Sequence, residues 1–339
     1  MNISSRTPEG EDNRCPVCGN ALKLEPSRPP GDAPCPFCGT LLWFGGSASQ
    51  SQLPMQRALP QAFDAPALGA IGDYDLLEMV GGASSAVYKA RDRALGRIVA
   101  LKIVRDFGPI PKEVAERFER EMRALASLNH PNIVRVYDVG HHEGTPYCTM
   151  AYIAGGTLAQ HLQHKHFCDD PRAAVVLVKK LAGAVHHIHE NGMLYRDLKP
   201  AHVLIDELGE PQLTGFGLLL AIAHIDLVEA GTIAGTPASM APEQAVGRFD
   251  AIGRGTDIWG LGVILYELLT GKRPFAGLDL AELRRQVVQD QPAPVRSLSP
   301  HVDKQLEKIV SRCLQKEPRN RYADAATLAA ELGRYLGDN

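Results

Sequence analysis

From Tyr74 onward the hydrophobic and polar positions fall into a regular pattern. Tyr74–Val80 and Ala86–Arg91 read as strands on either side of a turn of small residues, Val80-Gly81-Gly82-Ala83-Ser84-Ser85-Ala86. Arg97–Val104 is a third β-rich run, containing Val99-Ala100-Leu101-Lys102. The period then changes. In the stretch 113–128 the apolar residues Val114, Phe118, Met122 and Leu125 recur at steps of three or four, which predicts a helix. Glu116–Arg120 and Glu119–Arg123 add i,i+4 pairs, and Asn129 and Pro131 stop it. Before Tyr74 the chain behaves differently. Gly45–Leu68 is rich in Ser, Gln, Pro and Ala with little periodicity, and reads as a flexible linker.

The whole chain has 339 residues, long enough for two or three domains with a sizeable core. Hydrophobic residues at 45% and charged residues at 22% exclude wholesale disorder. The net charge of −3 gives no electrostatic reason to expect nucleic acid or an anionic membrane as the main partner. The longest apolar run, around Gly215–Ala223, is far short of the roughly 18 residues of a membrane span. The polar start, residues 1–14, lacks the apolar segment of a secretory signal. The expected compartment is the cytoplasm.

Cysteine usage singles out the first 44 residues. Cys15, Cys18, Cys35 and Cys38 form two Cys-Pro-x-Cys-Gly knuckles. Thiolates at that spacing turn onto one tetrahedral metal, and Gly19 and Gly39 allow the backbone to turn its amides toward sulfur. The reading is a structural zinc ribbon; two disulfides or plain thiols are the alternatives, and a reducing compartment disfavours the disulfides. A segment this short builds little core alone, so the metal would hold it folded. Four cysteines leave zinc no open position, which points to structure or partner binding. Cys148, Cys168 and Cys313 are scattered and read as small buried hydrophobes. The twelve histidines include His141-His142 and His186-His187-His189, but come with no matching carboxylate or cysteine set and read as ordinary loop and helix residues.

Four further motifs occur in order. They are Tyr195-Arg196-Asp197-Leu198-Lys199-Pro200, Ala241-Pro242-Glu243, Asp257-Ile258-Trp259-Gly260-Leu261-Gly262, and a lone Arg321. Together they resemble protein kinases, of the bacterial serine/threonine type, from about Tyr74 to Leu336. The resemblance implies an α+β, bilobal protein-kinase-like fold with a β-rich N-lobe and a helical C-lobe. With the cysteine spacing and the linker composition, it divides the chain into a zinc ribbon at 1–44, a linker at 45–73 and a kinase-like domain at 74–339. The N-lobe is expected at about 74–150, a hinge near Met150–Gly155, and the C-lobe at about 155–336. It also implies that Arg321 pairs with Glu243.

Kinase chemistry is mostly positioning and charge neutralisation. By the resemblance, Lys102 holds the α/β-phosphates of ATP and Glu121 holds Lys102. Asp197 orients the substrate hydroxyl, and Lys199 steadies the transferring phosphoryl. Tyr195 replaces a histidine in a packing role. Val87, Ala100 and Leu204 sandwich the purine, Met150 stands behind it, and Ala151–Ile153 offer hinge backbone. Arg196 keeps the option of pairing with a phosphate, for example on Thr232. The Gly-rich loop is weakened: by register it reads Val80 to Val87, and only Gly82 matches a required glycine.

Two expected magnesium ligands are missing. An asparagine position holds His202, and the Asp-Phe-Gly motif reads Gly215-Phe216-Gly217. Mg²⁺ prefers hard oxygen ligands, and neither residue supplies one. Glu207 and Glu210 flank a turn that in the family points away from the phosphates. The resemblance thus implies ATP as ligand, puts Mg²⁺ in doubt, and yields a pseudokinase in signalling with a protein partner. The alternative is an active serine/threonine kinase with unconventional metal use and a protein substrate; a third reading gives the main function to the zinc ribbon. The apolar run Leu218–Ala223 is expected to pack as a short helix or turn.

Overall fold

The computed structural model describes residues 32–34, 41–43, 68–82, 85–104, 122–123, 125–164, 169–215, 238–277 and 279–338. The four ribbon cysteines, Glu121, Thr232 and the run Leu218–Ala223 lie outside them. Strands β1 (Asp32–Pro34) and β2 (Leu41–Trp43) pair antiparallel on either side of the segment containing Cys35 and Cys38. The chain divides into two compact units, one holding residues 1–111 and 136–152, the other 112–135 and 153–339.

The first unit is built on a six-stranded antiparallel sheet in the order β3-β4-β5-β6-β8-β7. Its strands are β3 (Gly69–Ile71), β4 (Tyr74–Gly82), β5 (Ser85–Asp92), β6 (Ile98–Val104), β7 (Val136–His142) and β8 (Thr145–Ala151). β3 falls within the 45–73 stretch expected as linker; it is a three-residue edge strand paired to Tyr74–Leu76. Cross-strand partners share a face of a sheet. The rows Ala86–Ile103–Tyr147, Tyr88–Leu101 and Ala90–Val99 put buried apolar side chains on one face. The rows Val87–Lys102–Cys148 and Ala100–Met150 belong to the opposite face. The β5–β6 turn is held by Asp92, whose carboxylate accepts from Ala94 N and Leu95 N and pairs with Arg97.

The second unit is helical apart from a hairpin of β9 (Val203–Ile205) and β10 (Pro211–Leu213). Its described helices are α1 (Leu158–His164), α2 (Pro171–Glu190), α3 (Pro242–Ala245), α4 (Arg254–Thr270), α5 (Leu280–Gln289), α6 (Val295–Leu298), α7 (Lys304–Cys313) and α8 (Ala325–Leu336). Aspartates start four of them: Asp170, Asp279, Asp303 and Asp324 each accept a backbone N–H three residues on. Helix α4 is buried without a break from Thr256 to Tyr266 and packs against α2, α7 and α8. Two glycines let its neighbours approach that closely. A Cβ on Gly260 would lie 2.5 Å from Leu198 Cβ, and one on Gly262 would lie 2.4 Å from Cys313 Cβ. Burial raises the Cys148 thiol to about 11 and the Cys313 thiol to about 12, so both are inert packing residues, as the sequence reading held.

Candidate active site

In the sheet unit, the expected nucleotide residues Val87, Ala100, Lys102 and Met150 share the face opposite the apolar core. Lys102 is only 9% exposed, so it is not the solvated strand lysine that a bare charge suggests. Its ammonium opposes the rise of the neighbouring Cys148 thiol, which places its charge near that row. Ala151 pairs with Val99 and so belongs to the core face. In β4 the pairing slips between Met79 and Gly81, leaving Val80 as the extra residue of a bulge, 41% exposed, while Gly82 pairs with Ala86.

In the helical unit, the loop from Tyr195 to His202 is fixed by Asp257, in the first turn of α4. One of its oxygens accepts from Tyr195 N at 2.9 Å and from His189 Nε2 at 2.7 Å; the other accepts from Arg196 N at 2.6 Å. The His189 and Asp257 side chains are wholly buried. These bonds hold Arg196 at φ +67°, a left-handed conformation that a residue with a Cβ adopts only under constraint. Gln244 of α3 closes the arrangement by donating to Arg196 O at 2.8 Å. The sequence shows Asp257 only as the first residue of an ordered motif; its role as acceptor for a loop some sixty residues earlier needs the fold.

Asp197 stands between two donors. Lys199 Nζ is 3.0 Å from its Oδ2, and His202 Nδ1 is 3.3 Å from the same oxygen and 2.9 Å from the Asp197 carbonyl. Tyr195 does more than pack: its hydroxyl donates to the carbonyl of Thr214, beside Gly215. Burial, with Asp197 and Asp257 close by, raises that phenol well above its ordinary value, so it is a neutral donor and not a base. Thr214 N donates to His202 O at 2.9 Å, and Gly215 follows at φ +80°. Leu204 lies on β9, bridged to Thr157, and Ile153 begins the helical unit's second segment.

At the family's two metal positions this chain has an imidazole, His202, and no side chain, Gly215. Asp197 is already engaged by Lys199 and His202. Glu210 is paired with Lys180 at 2.5 Å, and Glu207 is exposed in the β9–β10 turn. Among the described residues no group of three or more His, Cys, Asp or Glu side chains could hold a metal ion. Away from the loop, Glu243 and Arg321 form the pair the resemblance implied, bidentate at 2.7 and 2.8 Å.

A six-stranded antiparallel sheet unit, a helical unit, and a loop carrying Asp197 and Lys199 anchored on a buried aspartate define a protein-kinase-like chain. The protein kinase domain family matches residues 74–332, and the chain belongs to that family. Serine/threonine-protein kinase PrkC of Bacillus subtilis is 33% identical over 262 residues, covering 77% of this chain and 40% of that protein. PknB of Mycobacterium tuberculosis is 36% identical over 269 residues, 77% of this chain and 42% of its own. RqkA of Deinococcus radiodurans, a DNA damage-responsive serine/threonine-protein kinase, is 38% identical over 264 residues, 76% and 39%. The chain thus spans about two fifths of the length of these curated relatives. Among solved structures, the apo form of PpkA-294 matches with a TM-score of 0.66 at 23% identity, over 79% of this chain and 99% of that one, a likeness of fold. No described helix is long and apolar enough to cross a membrane.

Proposed function

We propose that this chain is a kinase-fold signalling protein in which Mg²⁺-dependent phosphoryl transfer has been lost: a pseudokinase that acts by binding a protein partner and keeps a nucleotide pocket. One observation carries the reading. At the two positions where the family places metal ligands, the imidazole of His202 lies against the bare Cα of Gly215, so neither an asparagine amide nor a carboxylate is offered. The sheet face with Val87, Ala100, Lys102 and Met150 supports nucleotide binding, with buried Lys102 as the phosphate partner. Nucleotide affinity is expected to change little between Mg²⁺ and EDTA. Phosphotransfer from γ-labelled ATP is expected to match an Asp197→Asn blank. Wild-type transfer well above that blank would defeat the reading in favour of an active kinase with unconventional metal use, which the retained Asp197–Lys199 pair at 3.0 Å favours.

The N-terminal cysteines belong to the same proposal as a structural zinc ribbon for partner binding, supported by the paired Cys-Pro-x-Cys-Gly spacing of Cys15, Cys18, Cys35 and Cys38. One zinc per chain is expected by elemental analysis of protein purified without chelator. Cys15→Ser should release it and leave the melting of the kinase-like domain unchanged. Absence of stoichiometric metal in the wild type would end the ribbon assignment.

A further inference from the structure

By sequence, His202 and Gly215 are two separate losses; in space they compete for one place. A Cβ built on Gly215 would lie 2.8 Å from His202 Cδ2, 2.9 Å from Cγ and 3.0 Å from Nε2. The ring is held from its other side, where Nδ1 is 2.9 Å from the carbonyl of Asp197 and 3.3 Å from its carboxylate. Carbonyl and carboxylate oxygens only accept, so Nδ1 carries the hydrogen. The backbones are fastened at the same point. Thr214 N donates to His202 O at 2.9 Å, His202 N donates to Lys199 O at 2.9 Å, and the Tyr195 hydroxyl donates to Thr214 O. The ring therefore cannot swing away without giving up Asp197. The strand cannot retreat without breaking its bonds to the loop.

We propose that His202 is a positioning residue for Asp197, and that Gly215 is glycine because the imidazole stands where its side chain would be. The two positions form one interlock: the ring gives Asp197 a fixed N–H donor from within its own loop, and the vacancy at Gly215 admits the ring. This goes beyond the absence of metal ligands, because it assigns His202 a gained role. It holds whether or not phosphoryl transfer survives.

Two substitutions separate the two functions of the ring. Asparagine places an amide N–H close to where Nδ1 stands but empties the space beside Gly215. Leucine fills much of that space and donates nothing. By hydrogen exchange, His202→Asn should keep the protection of the Asp197 amide, and His202→Leu should lose it by about tenfold or more. Equal protection in the leucine variant would overturn the positioning role, since a merely space-filling ring predicts it. Loss in both variants would overturn it equally.

The steric half is read by a double-mutant cycle that needs no leucine variant to fold. Gly215→Ala carries its backbone strain in any background, but meets the imidazole only when His202 is present. The melting-temperature drop it causes should therefore shrink by about half or more in the His202→Asn background. Equal drops in the two backgrounds would overturn the interlock. Neither measurement uses ATP turnover, so failure of the pseudokinase reading would show in the transfer assay alone.

Discussion

Replacing Arg321 by alanine is expected to destabilise the helical unit by about 3–5 kcal/mol, the usual cost of stranding one partner of a buried ion pair. Both side chains of the Arg321–Glu243 pair are wholly buried. Arginine has five N–H donors, and here all five are used. Nη1 and Nη2 meet the Glu243 carboxylate at 2.7 and 2.8 Å, Gly255 O and Lys316 O take the remaining Nη protons at 2.8 and 2.9 Å, and Nε reaches Gln315 O at 2.8 Å. Thr256 adds a hydroxyl donor to Glu243 at 2.8 Å. The truncation would leave the Glu243 carboxylate with that single side-chain donor and remove the arginine's bonds to three backbone carbonyls. Arg321→Lys retains the charge but has three donors and no planar fork, and should recover only part of the loss. Urea unfolding followed by tryptophan emission would report it, because Trp259 is buried beneath the Arg321 guanidinium, 5.1 Å from ring centre to Cζ. A change below about 1 kcal/mol for the alanine variant would contradict this account.

The second large effect concerns restoring the family's residues at the metal positions. Gly215→Asp alone should be the worst of the three variants. It forces a Cβ into a left-handed conformation, at about 1–2 kcal/mol, and drives it against the His202 ring. His202→Asn alone should fold well and show no response to Mg²⁺. The double variant removes the collision and supplies both an amide and a carboxylate, so it should gain Mg²⁺-dependent autophosphorylation of about tenfold or more over the Asp197→Asn blank, equivalent to about 1.4 kcal/mol of barrier. Full family-level activity is not expected, because Val80 and Ser85 also depart from the pattern. A folded double variant with no gain in metal dependence would show that the missing ligands are not the main defect.

Three strands of the sheet, β4, β5 and β6, were legible because their residues obey period two, whereas β7 and β8 were not read as strands. Ala86, Tyr88 and Ala90 alternate along one strand, as do Val99, Leu101 and Ile103 along its partner, and these six share the apolar face. β3 was not legible: three residues at an edge, one of them glycine, carry no periodic signal. The loop residues Asp197, Lys199, His202 and Gly215 were identified individually from motif order. Their mutual geometry was not, because the contact between His202 and Gly215 joins two segments through a hairpin and is a property of neither. Glu121, Thr232 and the run Leu218–Ala223 fall outside the described residues, so the expectations placed on them stand as they were read.

Helix α4 has a consequence for how this chain is made. A helix buried on every side has no face that water tolerates, and its covers α7 and α8 are encoded downstream of it. During synthesis the residues from Ile258 to Leu269 leave the ribosome before Leu306, Ile309, Leu328 and Leu332 exist to shelter them. The nascent chain therefore passes through an interval in which this apolar helix is uncovered, and a fragment ended before Lys304 would remain in that condition, prone to self-association or dependent on a chaperone.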